Sequence, residues 1–309
     1  MKKILALLLV LLLVVGTLTA CGNKTNTSNS NDKKVEVTDK KEDPVEKPED
    51  TKPEESNEGG TILDDILKAG KIVVGTSPDF APAEFLDISK TGMDQYVGID
   101  MDFARYIAKE LGVELEIKPM DFGALITAVN AGNVDLILSG FAWREERAEA
   151  MELTDFYNIE DDENGQGILI LKADADKYKT AADFAGKTVA VQETSLQYAL
   201  LEEQIPDAIP KPITSINDGV LMLMSNKVDA VGVSSDNGLS IINNYPDVLQ
   251  LSDFYYDYSS EGNVGGIKKG ETNFLAKINE IVKKANDANL FPKWRQDAND
   301  LAASIGWQN

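Results

Sequence analysis

Short apolar segments alternate with stretches of helical periodicity along residues 61–309. Ile-Val-Val at 72–74 predicts a buried strand, and an apolar face at 104–111 with a period of 3.6 predicts a helix that ends at Gly112. Alternating residues at 115–117, a helix around 124–130 and an apolar segment at 134–138 follow. This alternation is typical of an α/β protein with largely parallel sheets.

The same order of elements occurs twice. Gly186-Lys187 precedes the apolar residues 189–191 as Gly70-Lys71 precedes 72–74, and Val228-Asp229 repeats Val134-Asp135. The chain is therefore expected to form two similar lobes. Parallel α/β sheets bind ligands outside the carboxyl ends of their strands, so the loops at 76–80, 139–143, 192–196 and 234–238 are expected to face one cleft.

The N-terminus has the pattern of an export signal. Two lysines precede an apolar segment at 4–15, which is shorter than the roughly 20 residues that span a bilayer. The chain's single cysteine, Cys21, follows Leu18-Thr19-Ala20, which resembles a bacterial lipobox. We therefore predict a signal peptide at 1–20, acylation of Cys21 and an extracytoplasmic protein anchored to the membrane by lipid. An ordinary signal peptide followed by a chance cysteine is the alternative.

Residues 21–60 are predicted to be a disordered linker. Beyond Cys21, the segment has only three bulky apolar side chains, all valines, among Asn, Ser, Thr, Lys, Asp, Glu and Pro. Such a composition buries too little apolar surface to offset the entropy of ordering the chain.

Composition excludes several functions. The chain has a net charge of −22, no histidine and one cysteine. A Ser-His-Asp triad, a Cys-His dyad, a zinc site with imidazole ligands and a disulfide within the chain are therefore impossible. The acidity argues against a nucleic-acid partner, and no metal or cofactor is expected.

Five segments together resemble the family 3 solute-binding proteins, the extracytoplasmic receptors of ATP-driven importers for polar amino acids. They are GTSPDFAPAEF at 75–85, YVGIDMDFARYIAKELG at 96–112, KPMDF at 118–122, residues 133–158 and GIKKGETNFLAKIN at 266–279. The resemblance implies a two-lobed clamshell (type II), with lobe 1 formed by 61–159 plus 263–309 and lobe 2 by 160–262. Two hinge crossings are expected near 158–160 and 261–265. It also implies a monomeric binding protein, not an enzyme, with a membrane permease of an ABC transporter as its partner.

The resemblance also implies a ligand site. Arg147 would hold a ligand carboxylate, helped by backbone amides after Ser139 at a helix start, and two aromatic rings would enclose the aliphatic part of the ligand. Polar side chains of the second lobe would contact the ligand only after closure. The predicted set is Phe80, Phe122, Ser139, Gly140, Ala142, Arg147, Gln192, Ser195, Ser234 and Asp236.

Three positions depart from the family pattern. Ala142 replaces a hydroxyl residue, and Ala83 replaces an aromatic. Ser234 replaces the aspartate that pairs the ligand's α-ammonium, and an unpaired buried ammonium costs on the order of several kcal/mol. Asp236 is the first candidate for its replacement.

Several alternatives stay open at this point. Asp79 and Glu193 are the other candidates for pairing the ammonium, or the ligand has no ammonium at that position. A dehydratase-like enzyme on the same fold could draw its acid or base from these carboxylates or from Glu84. A sensor that reports to a signalling receptor would keep the same pocket.

Overall fold

A computed structural model of the chain describes residues 61–159 and 165–306. Helices and strands alternate along them, as the hydrophobic pattern predicts. The helices are α1 (Ile62–Ala69), α2 (Ile99–Leu111), α3 (Leu125–Asn130), α4 (Glu145–Ala150), α5 (Leu196–Gln204), α6 (Ile216–Met224), α7 (Ser235–Asn244), α8 (Thr272–Asp287) and α9 (Phe291–Ile305). The strands are β1 (Lys71–Thr76), β2 (Phe85–Leu86), β3 (Tyr96–Val97), β4 (Glu114–Pro119), β5 (Leu136–Ile137), β6 (Glu152–Leu153), β7 (Gln166–Leu171), β8 (Thr188–Gln192), β9 (Ile209–Ile213), β10 (Ala230–Ser234), β11 (Leu249–Tyr255) and β12 (Gly266–Ile267).

Two five-stranded sheets have the same topology. The first has the order β4-β1-β5-β12-β6, and the second has the order β9-β8-β10-β7-β11. In each sheet the first three strands are parallel, and the fourth runs antiparallel to both of its neighbours. Four of the five strands in each sheet therefore point the same way, which confirms the predicted α/β class with two similar, mostly parallel halves. We refer to the two halves by their sheets as the first and second lobe.

The two segments that connect the lobes lie side by side. The backbones of Tyr157 and Asn263 exchange two hydrogen bonds, at 2.9 and 2.8 Å, and the Asn158 side chain donates to the Asn263 side chain at 3.0 Å. The predicted crossings at 158–160 and 261–265 include Asn158 and Asn263, whereas Tyr157 lies one residue before the first of them and Glu160 lies outside the described residues. The boundaries between the lobes at 159/160 and 262/263 stay predictions, as do the signal peptide and the linker, which also lie outside the described residues.

Each sheet is covered by helices that bury an apolar face. In the first lobe, Phe103 of α2 packs on Tyr157 and Phe291, with ring centroids 4.8 and 5.2 Å apart. All three rings are buried, and each contributes roughly 1.5–3 kcal/mol to folding. This core fixes the first crossing, at Tyr157, against both α2 and α9. Over the described residues, no helix combines the length and apolar character that crossing a membrane requires.

Candidate functional site

Four loops at the carboxyl ends of β1, β5, β8 and β10 enclose a cavity of about 140 Å³ between the lobes. These are the four loops that the strand pattern nominates. The structure brings all of the predicted site residues to this cavity: Phe80, Phe122, Ser139, Gly140, Ala142, Arg147, Gln192, Ser195, Ser234 and Asp236. Their placement agrees with the prediction, while their contacts with a ligand stay predictions.

Arg147 is a buried cation at the wall of the cavity. Its side chain lies on α4 and the residue is only 3% exposed. Nη1 donates to the carbonyl of Ala142 at 2.8 Å, and Nη2 donates to the carbonyl of Thr194 in the second lobe at 3.0 Å. The guanidinium carbon lies 4.5 Å from the ring centroid of Phe141 and 5.6 Å from that of Phe122.

No acid hydrogen-bonds to Arg147 among the described residues, and burial lowers the pKa of its guanidinium to about 10. Two carbonyls engage only part of the five N–H groups of a guanidinium. A buried charge without a counter-charge is costly, so this site favours an anion. A planar carboxylate matches the remaining N–H fork.

The two predicted aromatic residues have different surroundings. Phe122 lines the cavity but also belongs to the buried cluster of α3 and β5, so core packing accounts for part of its role. Phe80 extends from the first lobe and packs on the apolar cluster of the second lobe. Gly140 has a φ of +57°, and a Cβ there would lie 3.3 Å from the Phe80 ring. A glycine at 140 therefore leaves room for Phe80 at the cavity.

The corner at Ser139 and Gly140 differs from the expectation. The Ser139 hydroxyl accepts from the Ser77 N–H at 3.0 Å and donates to Glu84 Oε1 at 3.1 Å. The Gly140 N–H donates to Asp100 Oδ2 at 2.7 Å. The expected helix start is wrong, because α4 begins only at Glu145. Ser139 and Gly140 therefore line the cavity, while the Ser139 hydroxyl and the Gly140 N–H are hydrogen-bonded inside the first lobe. They do not present the row of free amides that the resemblance implies.

The hydroxyl groups of the second lobe cap helices. Ser195 accepts from the Tyr198 N–H at the start of α5, and Ser234 accepts from the Asn237 N–H at the start of α7. Such caps satisfy N–H groups that the helix itself leaves unpaired. Asp236 lies in the first turn of α7 and is half-buried, and this burial raises the pKa of its carboxyl despite the opposing charge of Arg295.

Asp79 has a role that the sequence did not reveal. This carboxylate of the first lobe accepts the Ile216 N–H at 2.8 Å and the Gln192 side chain at 3.3 Å, both in the second lobe. Ser77 donates to its other oxygen at 3.1 Å. Asp79 therefore links the lobes at the N-terminus of α6, where a negative charge is favoured. Glu193 is exposed and does not line the cavity, whereas Asp79 and Asp236 both line it, and the pairing of an ammonium by Asp236 stays a prediction.

Sequence reasoning missed several residues that line the cavity. Gln197 donates to Gln166 at 2.6 Å, which joins the first turn of α5 to the start of β7. No local sequence pattern marks Gln166 or Gln197 as residues of a site. Asn158 and Asn263 lie in the predicted crossings, which the sequence analysis treated as hinges and not as part of the cavity. The remaining polar residues that it missed are Asn158, Tyr258, Ser259, Ser260 and Asn263.

Comparison with known proteins agrees with this architecture. The family model of bacterial extracellular solute-binding proteins, family 3, matches residues 72–296. The arginine-binding extracellular protein ArtP of Bacillus subtilis is 35% identical over 162 residues, which cover 52% of this chain and 59% of that protein, less than two thirds of its length. A probable histidine-binding protein of Campylobacter jejuni is 28% identical over 232 residues, covering 75% of this chain and 82% of that protein.

Solved structures with the same fold extend the comparison. The amino acid ABC transporter substrate-binding protein AbpA of Streptococcus pneumoniae, solved with bound L-arginine, has a TM-score of 0.71 and 28% identity, and the match covers 79% of this chain and 99% of that one. The ancestral amino acid-binding protein AncCDT-1, a precursor of cyclohexadienyl dehydratase, has a TM-score of 0.67 and 28% identity, with coverage of 77% and 99%.

Proposed function

The chain belongs to the bacterial extracellular solute-binding proteins of family 3, and from this premise we propose that it is the receptor of an amino acid ABC importer. It captures an amino acid between its lobes and delivers it to a permease in the membrane. The observation that carries this proposal is the buried guanidinium of Arg147, which faces the cavity without an acid partner among the described residues. The arginine-bound relative supports the class of ligand.

The proposed binding mode assigns one group of the ligand to each lobe. Arg147 pairs with the ligand carboxylate, and the rings of Phe80 and Phe122 contact its aliphatic part. Asp236 on α7 pairs with the ammonium in place of the missing aspartate at Ser234. Gln192, Ser195 and Ser234 complete the polar wall on the second lobe.

Contacts between the lobes support closure around the ligand. Arg147 reaches the Thr194 carbonyl, Asp79 accepts the Ile216 N–H, and the Asn237 side chain donates to the Ala81 carbonyl at 3.0 Å. These bonds join lobes that separate on opening, so a ligand that binds the closed form better shifts the population towards it. We propose lobes at 61–159 plus 263–309 and at 160–262, in a monomer whose closed form the permease recognises.

We also propose that acylated Cys21 anchors the protein to the outer face of the cell membrane, with 21–60 as a linker. The support is the position of the chain's single cysteine directly after the apolar segment. Radiolabelled palmitate is expected to label the wild-type protein in bacterial cells and to leave Cys21→Ser unlabelled. Equal labelling of both proteins would exclude Cys21 as the anchor.

The test of the function is a titration with L-arginine, L-histidine and L-glutamine. At a concentration 100 times the Kd, a true ligand adds about 2.7 kcal/mol of stability, which raises Tm by about 5–10 °C. Asp236→Asn is expected to weaken binding at least tenfold, because it removes the charge opposite the ammonium. Asp218→Asn, which changes an exposed acid in the first turn of α6, serves as the matched control and should leave the affinity unchanged. Unchanged affinity in Asp236→Asn removes Asp236 from this role.

A dehydratase is the second candidate, because the fold is shared with a precursor of such an enzyme. Asp79 and Asp236 line the cavity and would supply the acid or base of such an enzyme. Calorimetry separates the two functions. A receptor releases a finite, saturating heat on titration, whereas an enzyme releases heat continuously at constant substrate.

A further inference from the structure

Two carboxyl groups lie buried together behind the wall of the cavity. Glu84 and Asp100 are both 0% exposed, and their carboxyl groups lie close enough for each to act on the pKa of the other. Glu84 Oε2 and Asp100 Oδ1 have no hydrogen-bond partner within the described residues. Two ionised carboxylates in this arrangement would leave both oxygens unsatisfied, whereas one proton between them satisfies both.

No positive side chain compensates the pair among the groups that face it. The titratable groups that act on it are Asp79, which repels a charge on Glu84, and the hydroxyl of Tyr157, which donates to Asp100 Oδ2 at 3.1 Å. Backbone and hydroxyl groups at 139–140 supply the other contacts. Two like charges held this close in a buried site do not both ionise near neutral pH.

We propose that Glu84 is a neutral carboxylic acid that donates a hydrogen bond to the Asp100 carboxylate, and that this proton-sharing pair positions the Ser139–Gly140 wall of the ligand cavity. The shared proton and the position of the Ser139–Gly140 wall are properties of the protein without ligand. The consequence for affinity rests on the proposed function. Both acids are positioning residues, because each acts on the cavity through its bonds to Ser139 or Gly140.

The surroundings place the negative charge on Asp100. Asp100 lies in the first turn of α2, where the helix dipole favours an anion, and it accepts from both Gly140 and Tyr157. Within the described residues, the Glu84 carboxyl accepts a hydrogen bond from Ser139 alone. Accordingly, burial raises the pKa of Asp100 to about 6, and burial together with the charge of Asp100 raises the pKa of Glu84 well above its usual range.

The sign of the pH dependence follows from these raised pKa values. The folded state binds protons at both sites more tightly than the unfolded chain does. The contribution of the pair to stability is therefore greatest below the ordinary carboxyl pKa. This contribution decreases as the pH rises through the Asp100 pKa of about 6. It decreases further as the pH approaches the higher pKa of Glu84.

Carboxyl ¹³C NMR of the full-length protein without ligand tests the shared proton. The Glu84 signal is expected to stay that of a protonated acid at pH 7, and titration near its ordinary pKa would overturn the proposal. Glu84→Gln imitates the neutral acid, since its carbonyl accepts from Ser139 and its amide donates to Asp100. It should raise Tm at pH 8 by at least about 3 °C and flatten the pH dependence. Glu114→Gln, at an exposed glutamate, is the matched control and should follow the wild type.

Hydrogen exchange at the Gly140 amide tests the positioning role. Glu84→Ala is expected to speed exchange at this amide at least tenfold, and Glu84→Gln should restore the slow exchange. If Glu84→Ala does not fold, the Glu84→Gln variant and the wild-type NMR titration still decide the proposal. Fast exchange at Gly140 in a folded Glu84→Gln variant would overturn it.

Affinity for L-arginine provides a separate readout. We expect Glu84→Ala to weaken binding at least tenfold and Glu84→Gln to recover it. Equal affinity in wild type and Glu84→Ala would exclude the link from the pair to the cavity. If the wild type itself does not bind L-arginine, the choice of ligand in the proposed function fails, while exchange at Gly140 still decides the role of the pair.

Discussion

Replacing Arg147 with lysine is expected to lower the affinity for a carboxylate ligand at least 100-fold. Lysine keeps the charge but loses the planar fork that binds a carboxylate through two parallel hydrogen bonds. It also cannot donate to the carbonyls of Ala142 and Thr194 while stacking on the Phe141 ring. Each hydrogen bond to a charged group is worth about 1.5–3 kcal/mol, so the loss of two costs about 3–6 kcal/mol. A 100-fold increase in Kd corresponds to about 2.8 kcal/mol, which is less than this loss.

Isothermal titration calorimetry with L-arginine measures this loss. Arg144→Lys provides the matched control, because Arg144 lies one turn earlier, forms an ion pair with Glu146 and does not line the cavity. The control should bind as the wild type does. If Arg147→Lys also bound normally, the carboxylate would be held elsewhere and the proposed binding mode would be wrong.

Gly98→Ala is expected to lower the free energy of unfolding by about 3–5 kcal/mol. The Gly98 backbone has φ 118° and ψ 175°, a conformation essentially confined to glycine. An added Cβ would lie 2.3 Å from the carbonyl oxygen of Ala83 and 2.8 Å from that of Pro82. Neither neighbour is a flexible side chain, so the backbone itself would have to move.

Urea denaturation compares this variant with Gly112→Ala. Gly112 also has a positive φ, of 71°, but a Cβ there would meet nothing within 4 Å. The control should lose only about 1 kcal/mol, the cost of the left-handed conformation alone. Equal losses of unfolding free energy in the two variants would show that the close carbonyl oxygens of Ala83 and Pro82 do not cause the destabilisation at Gly98.

The effect of Gly98→Ala should also reach the cavity. The N–H groups of Ile99 and Asp100 donate to the carbonyls of Pro82 and Ala83 at 3.1 and 2.9 Å. A displaced backbone at 98 therefore moves Asp100 relative to Glu84. We expect any folded Gly98→Ala protein to show faster exchange at the Gly140 amide.

Much of the architecture could be predicted from the hydrophobic pattern. Alternating strands and helices predict two parallel sheets, and the repeated order predicts two lobes. The pattern did not reveal that β7 and β12 run antiparallel, because an apolar strand has the same sequence in either direction. Both are the strands by which the chain enters a lobe after a crossing.

The site could be predicted only in part. The carboxyl ends of the strands predicted the four loops at the cavity, because the location of a ligand site in a parallel α/β sheet depends on topology alone. Arg147 came from the family resemblance, because an arginine within the charged segment 144–149 has no periodic signal of its own. The link from Asp79 to Ile216 and the bond from Gly140 to Asp100 join residues far apart in the chain, and no local pattern encodes such pairings.

The reciprocal backbone bonds between Tyr157 and Asn263 limit how the molecule can open. Two connecting segments that are bonded in register cannot slip along each other by one residue without breaking both bonds. The remaining easy motion is a rotation about the line on which they lie. In the proposed mechanism, an empty and a loaded protein therefore differ mainly in the angle between the lobes, and a rigid docking surface that contacts both lobes would distinguish them.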